Sequence, residues 1–221
     1  MSLEILHIEH NTPEWLAFRQ TGIGGSDAAA VLGLSPFKTN VEVWEEKVGL
    51  RVPEDISEKP QVKYGSEAET PLFQLFALDH PQFRCKQDKT VVYRRDFMFA
   101  SLDGELERIS NGERGIYEGK TTEIHGRSAL SKWDGRVPDY YFVQVLHQLL
   151  VTGWSFDVLK AQLKLIEADG NIELLTRHYP YRRSDLLPDL RYLYLEEKSF
   201  WGYVVRRERP PLKLPSIGRG S

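Results

Sequence analysis

The chain has 221 residues, 41% of them hydrophobic and 28% charged, with a formal net charge of −3; that suffices for one sizeable core and is an ordinary charge content for a globular domain. No apolar run approaches the roughly 20 residues of a membrane-spanning helix, and the single Cys85 excludes an intrachain disulfide, a cysteine-based zinc site and a four-cysteine iron–sulfur cluster, fitting a reducing cytoplasm. The acidic balance argues against coating nucleic acid by bulk positive charge, and the first residues, Met1 to His7, lack a basic stretch followed by an apolar one, so no secretory leader is expected.

Thr12-Pro13-Glu14 predicts a helix start, with Thr as N-cap, Pro at the first helical position and an acid in the first turn. That helix carries Trp15, Phe18 and Arg19 and stops near Gly22. Gly24-Gly25-Ser26-Asp27 opens a short Ala-rich helix, with Ser26 expected as its N-cap and Gly33 as its stop. Thr39 and Glu42 form a capping box for a third helix ending at Gly49. The stretch from Arg51 to Gln61 reads as an exposed loop, and a helix follows from about Tyr64 to Leu78. The period then changes to strands at 90–93, 98–103, 104–108 and 115–120, with Ser110-Asn111-Gly112 as a hairpin tip. A helix at about 139–152, strands at about 156–166 and 172–180, and a long helix at 184–206 complete the domain. The whole predicts a single α/β domain over residues 1–209 with one central mixed sheet, and a mobile Pro-rich tail over 210–221.

The charge is unevenly spread. Residues 1–110 carry 12 Lys and Arg against 18 Asp and Glu, whereas residues 111–221 carry 17 against 14. A polyanion can be drawn to one side of such a molecule despite the negative sum; a solvated helical face would look the same.

The chemically informative stretch is Asp103 followed by Glu118-Gly119-Lys120. Alternation along a strand projects Glu118 and Lys120 to one side. Carboxylate oxygens suit a hard cation such as Mg²⁺, and a lysine can hold a water or stabilise charge on a phosphoryl oxygen. Asp103, at the end of the preceding hairpin arm, can return to the same metal, giving a site for metal-assisted phosphodiester hydrolysis. The bare spacing taken alone favours a cross-strand salt bridge; the apolar strand and Gly turn around Asp103 shift it toward a metal site.

Ser101-Leu-Asp103-Gly, Glu118-Gly-Lys120 and Gln144-Val-x-x-Gln148 together resemble the phage-type alkaline exonucleases. This is the family of bacteriophage lambda exonuclease and the YqaJ-like viral recombinases, within the restriction-endonuclease-like, PD-(D/E)xK, nucleases. Upstream, Trp15-Leu-x-Phe-Arg19…Gly22-Ile-Gly-Gly-Ser26-Asp27-Ala28 is similar to the family's opening block and Gly65-Ser-x-Ala-Glu69 to its Gly-x-x-x-Glu helix. The likeness spans about residues 12 to 153, each block short but the conjunction specific.

The resemblance implies a restriction-endonuclease-like core and a 5′-to-3′ exonuclease acting on linear double-stranded DNA with preference for 5′-phosphorylated ends. It implies release of mononucleotides, a homotrimeric ring around DNA and delivery of the 3′ strand to a single-strand annealing protein, in the bacterial cytoplasm of a phage or prophage host. Asp103, Glu118, the Gly119 carbonyl and Glu69 would hold Mg²⁺, two ions per site, with Mn²⁺ able to substitute. Lys120 would position the attacking water and Gln144 would complete the site. Glu69 is preferred to Glu67, because it stands four residues after Gly65 as in the family. Arg19 and Ser26 would receive the 5′-phosphate, with Arg127 as a further candidate for that pocket. Thr121-Thr122 stand where lambda-like members place Cys-Pro, which leaves the path to Arg127 open. The six histidines, His125 and His147 included, have no metal-ligand spacing. A related endonuclease or repair nuclease would share Asp103, Glu118 and Lys120, and a non-catalytic DNA-end-binding module would share the fold.

Overall fold

The structure is a computed structural model and describes residues 2–214. In chain order its elements are β1 (Glu4–His7), α1 (Pro13–Arg19), β2 (Ile23–Gly24), α2 (Gly25–Val31), α3 (Asn40–Lys47) and α4 (Pro60–Asp79). Then come β3 (Phe83–Lys86), β4 (Val91–Arg95), β5 (Met98–Ser101), β6 (Gly104–Arg108), β7 (Arg114–His125) and the single turn α5 (Arg127–Leu130). The last are α6 (Asp139–Thr152), β8 (Phe156–Ile166), β9 (Ile172–Arg182) and α7 (Leu187–Arg206).

Local chemistry explains most helix starts. The Trp15 amide donates to Thr12 Oγ1 at 3.2 Å, and Thr39 and Glu42 exchange the two bonds of a capping box at 3.2 and 2.8 Å. The cap of α2 differs from expectation. Gly24, not Ser26, is the N-cap, because the Asp27 carboxylate reaches back to the Gly24 amide at 3.3 Å. Ser26 therefore lies inside the helix with its hydroxyl released from capping. Likewise α4 begins at Pro60, four residues before Tyr64, since a proline costs nothing in a first turn whose amides lack partners.

The strands form two sheets where one was expected. The first has the order β1-β4-β5-β2 and the second β3-β6-β7-β8-β9. Within the second, β7 and β8 run parallel over their full paired length while the outer pairs are antiparallel, so the sheet is mixed. Helices cover it on both sides. Ile116, Leu159 and Leu163, all 0% exposed, pack with residues of α2, α6 and α7 in the main core. Tyr117, Phe156 and Val158 face the other way and meet Phe73 and Phe76 of α4. Strands buried on both faces lose the plain alternation of a half-exposed sheet.

The chain changes sheets between Ser101, the last residue of β5, and Gly104, the first of β6. Buried Leu102 anchors this crossing, and Asp103 stands in it. The tail departs from expectation in its first part: Asn40 Nδ2 donates to the Pro211 carbonyl and Asn40 Oδ1 accepts from the Lys213 amide, both at 2.9 Å. Pro210 is buried and Lys213 pairs with Glu196, so this part is fastened to α3 and α7. Residues 215–221 of the expected mobile tail lie outside the described residues. Among the described residues no helix is long and apolar enough to cross a membrane.

Candidate active site

The β6–β7 ladder ends where Gly104 faces Tyr117. One residue earlier in the chain, Asp103 takes over from the missing strand: its Oδ2 accepts the Gly119 amide at 2.9 Å. The crossing between sheets thus delivers a carboxylate to the middle of β7. Alternation sends Glu118 and Lys120 together toward α6, where the Lys120 ammonium pairs with Glu118 Oε1. Gln144 and Gln148, one helical turn apart on α6, donate to Glu118 Oε1 and Oε2, each at 2.6 Å. Three donors therefore hold a carboxylate that is 1% exposed. The Lys120 ammonium also stands 5.3 Å over the Tyr141 ring.

Negative charge is under-compensated here. Burial, and then the charge of Glu118, pushes the Asp103 carboxyl well above the usual carboxylate range. Burial alone would lower Lys120, but Glu118 and Asp103 hold it above the ordinary lysine value and keep it an ammonium. Asp157, opposite Ile116 in the β7–β8 register, is wholly buried with no hydrogen-bond partner on either oxygen. Burial and the neighbouring acids push its carboxyl up as well. Asp103 Oδ1 accepts no hydrogen bond among the described residues. Asp103 and Glu118 are two hard-oxygen carboxylates served by one ammonium, a donor chemistry that fits a divalent cation.

The third acid is turned aside. Glu69 lies on α4 with its carboxylate 3.1 Å from Lys89 and 3.5 Å from Gln87 Nε2. Gln87 bridges toward the site, donating to the Asp103 carbonyl at 2.9 Å. Among the described residues no three acidic, imidazole or thiol groups meet in a metal-holding cluster. Glu67 is exposed.

A second charged cluster surrounds Asp27, which is 0% exposed. Lys47 Nζ lies 2.7 Å from its carboxylate, Lys38 3.5 Å and Arg19 3.7 Å. Burial alone would raise the Asp27 carboxyl, but these cations hold it well below the usual range. Arg19 Nη2 donates to Ser26 Oγ at 3.3 Å, so the two residues that the resemblance joined do meet. With Glu46 on Lys38 at 2.9 Å, three cations face two carboxylates, leaving a net positive charge beside the Ser26 hydroxyl. The two clusters touch: a Cβ added at Gly25 would come within 3.3 Å of Gln144 Cγ.

Arg127 does not join this group. It follows the end of β7, and six residues at a strand rise of ~3.3 Å place Gly126 about 20 Å along from Lys120. There Arg127 pairs with Glu167 and Glu173 of the β8–β9 hairpin at 2.8 and 3.9 Å. His147 is structural: its ring nitrogens meet Glu197 Oε1 at 2.7 Å and the Phe99 carbonyl at 2.9 Å, tying α6 to α7 and β5. The residues that sequence reasoning left without a role are Gln148, Asp27, Lys38, Lys47 and Asp157. Of these, Gln148 carried a signal in its four-residue spacing from Gln144, and Asp27 in its place beside Ser26 in the block that resembles the family's opening.

Comparison with known proteins fits this geometry. The profile of the YqaJ-like viral recombinase domain matches residues 14–155. The uncharacterized protein YqaJ of Bacillus subtilis (strain 168) is 34% identical over 146 residues, which are 66% of this chain and 44% of that protein. The chain thus spans under half the length of this curated relative. The crystal structure of an alkaline exonuclease, LHK-Exo, from Laribacter hongkongensis superposes with a TM-score of 0.60 at 15% identity, covering 89% of this chain and 94% of that one. A phage related exonuclease from Haemophilus somnus 129PT gives 0.53 at 11% identity, over 87% and 98% of the two chains. These likenesses establish a common fold.

Proposed function

The chain belongs to the YqaJ-like viral recombinase domain family, and from that premise we propose that it is a metal-dependent 5′-to-3′ exonuclease on linear double-stranded DNA. The observation that carries the proposal is the meeting of Asp103 and Glu118 on β7 beside Lys120. The structural relatives that are exonucleases support it, one of them having been crystallised with dAMP, a deoxynucleoside monophosphate of the kind such an enzyme would release.

Asp103, Glu118 and the Gly119 carbonyl would hold the cation, Mg²⁺ or in its place Mn²⁺, with Glu69 joining for a second ion if its carboxylate leaves Lys89. Bound there, the ion supplies Lewis-acid polarisation of a phosphoryl oxygen and a water of lowered pKa. The protein's own groups do the positioning. Gln144 and Gln148 fix both oxygens of Glu118, and Glu118 in turn fixes the Lys120 ammonium. That ammonium orients the attacking water and offsets charge that builds on the phosphate. The Gly119 amide holds Asp103 by one oxygen and leaves the other free. At the Asp27 cluster, Arg19 and Ser26 would receive a terminal 5′-phosphate, Arg19 by charge-assisted hydrogen bonds. A homotrimeric ring around DNA and delivery of the 3′ strand to a single-strand annealing protein belong to the same reading, as does action in the cytoplasm of a phage or prophage host.

The test is release of mononucleotides from end-labelled linear duplex, with and without 5′-phosphate, in Mg²⁺ or in EDTA. Faster release from phosphorylated ends, abolished by EDTA, is expected. Release that survives EDTA, or nicking of closed circular DNA at a comparable rate, overturns the reading.

A further inference from the structure

On the face of β7 opposite Glu118 lies a group that the mechanism above does not use. Tyr117 is 0% exposed and packs between Phe73 and Phe76 of α4, with ring centroids at 5.1 and 4.9 Å. Its hydroxyl nevertheless has no hydrogen-bond partner among the described residues. A phenylalanine would fill the same aromatic cluster without burying an unpaired hydroxyl, so the oxygen demands an explanation.

The neighbourhood of Gly119 supplies one. A Cβ added there would lie 3.4 Å from the Tyr117 hydroxyl oxygen and 3.6 Å from Asp103 Oδ2. The space beside the Gly119 Cα therefore borders both a phenol and the site carboxylate. Any side chain at position 119 would fill it, because the alternation that sends Glu118 and Lys120 toward α6 sends residue 119 the opposite way. The glycine leaves that space open beside two oxygens, and of these the phenol is the one that can donate.

We infer that Tyr117 is a positioning residue: its hydroxyl, across the gap that Gly119 leaves, donates through one bridging water to Asp103 Oδ2. With the Gly119 amide already on that oxygen, the carboxylate is held by two donors on one side, and Oδ1 stays turned to the cation. This rests on the reading of Asp103 as a cation-holding acid of a nuclease. Groups that orient a metal ligand from behind typically alter affinity or activity by about 10–100-fold when removed.

The experiment compares Tyr117→Phe, Gly119→Ala, their combination and Asp103→Asn with the wild-type chain. Mn²⁺ binding without DNA is measured by calorimetry, Tm by thermal unfolding, and kcat and KM on a 5′-phosphorylated duplex. Tyr117→Phe is expected to keep or raise Tm, weaken Mn²⁺ binding about tenfold and lower kcat about tenfold at unchanged KM. Gly119→Ala, whose Cβ makes only ordinary contacts, is expected to reproduce the loss, and adding Tyr117→Phe to it should change nothing further. Wild-type Mn²⁺ affinity and kcat in Tyr117→Phe overturn the inference alone. A wild-type chain that neither cleaves nor binds Mn²⁺ more tightly than Asp103→Asn removes the nuclease reading and this inference with it.

Discussion

Two acids in one small protein, Asp27 wholly buried and Asp103 half-buried, are treated in opposite ways. Asp27 is surrounded by Lys47, Lys38 and Arg19, and its carboxyl is held far into the ionised state. Asp103 shares its surroundings with Glu118 and a single lysine, and is pushed toward protonation. Burial works against the charge of both, most completely at Asp27; the difference is how many cations the fold supplies. The first cluster is complete in itself and has positive charge to spare for an anion. The second sets one ammonium against two carboxylates, which would suit a further cation from solution. Under the proposed function a grip for a phosphate and a place for a metal would both be built around an aspartate, the difference lying in what surrounds it.

The contrast can be broken at several points. Lys120→Gln removes the cation that the second cluster has among the described residues and should lower the cleavage rate by about 10³-fold with duplex binding retained, as read by product release and a gel-shift titration. A binding loss of the same size would make Lys120 a docking residue. Lys47→Met leaves Asp27 buried without its nearest partner, and should cost about 3 kcal/mol in denaturant unfolding; a shift within error would mean that Lys38 and Arg19 suffice. Arg19→Ala should reduce the preference for phosphorylated ends about tenfold, equivalent to ~1.4 kcal/mol, and leave the rate on unphosphorylated ends unchanged. Loss on both substrates alike would place Arg19 in the scaffold instead.

The smallest effect sharpens the comparison most. Asp103→Asn should stabilise the metal-free fold by about 1 kcal/mol at neutral pH, even as it removes cleavage. The folded protein binds this proton more tightly than the unfolded chain does. Stability from that proton is therefore fully present below the ordinary carboxylate range and is lost as the pH rises through the raised value. The gain from the asparagine should fade in acid, and Mg²⁺ should raise the Tm of the wild-type chain but not of the variant. A wild-type Tm that rises with pH through the same window would contradict the sign.

Where the sequence spoke locally, it was legible. The caps at Thr12 and Thr39 are written within four residues, and the shared face of Glu118 and Lys120 follows from strand alternation alone. The division into two sheets was not legible, because nothing in Ser101-Leu102-Asp103-Gly104 distinguishes a change of sheet from a tight turn. β1 and β3 have only four residues each, too few for a period to register. The cations around Asp27 come from three separate stretches of chain, as does the Lys89 that turns Glu69 aside. Arg127 misled by nearness in sequence: a strand carries its residues apart faster than any other element, and β7 takes Arg127 to the far end of the sheet.

The bond between Asp103 and the Gly119 amide has a further consequence. Amide protons within a sheet are shielded from exchange by the carbonyls of neighbouring strands, and they open only when the sheet does. The Gly119 proton is shielded by a side chain instead, because β6 begins at Gly104, opposite Tyr117, two residues short of serving it. Its exchange rate therefore follows the ionisation and placement of one carboxylate while the strand around it stays closed. A single backbone position becomes a native reporter, readable by magnetic resonance without a label, of whether Asp103 is charged, neutral or engaged elsewhere.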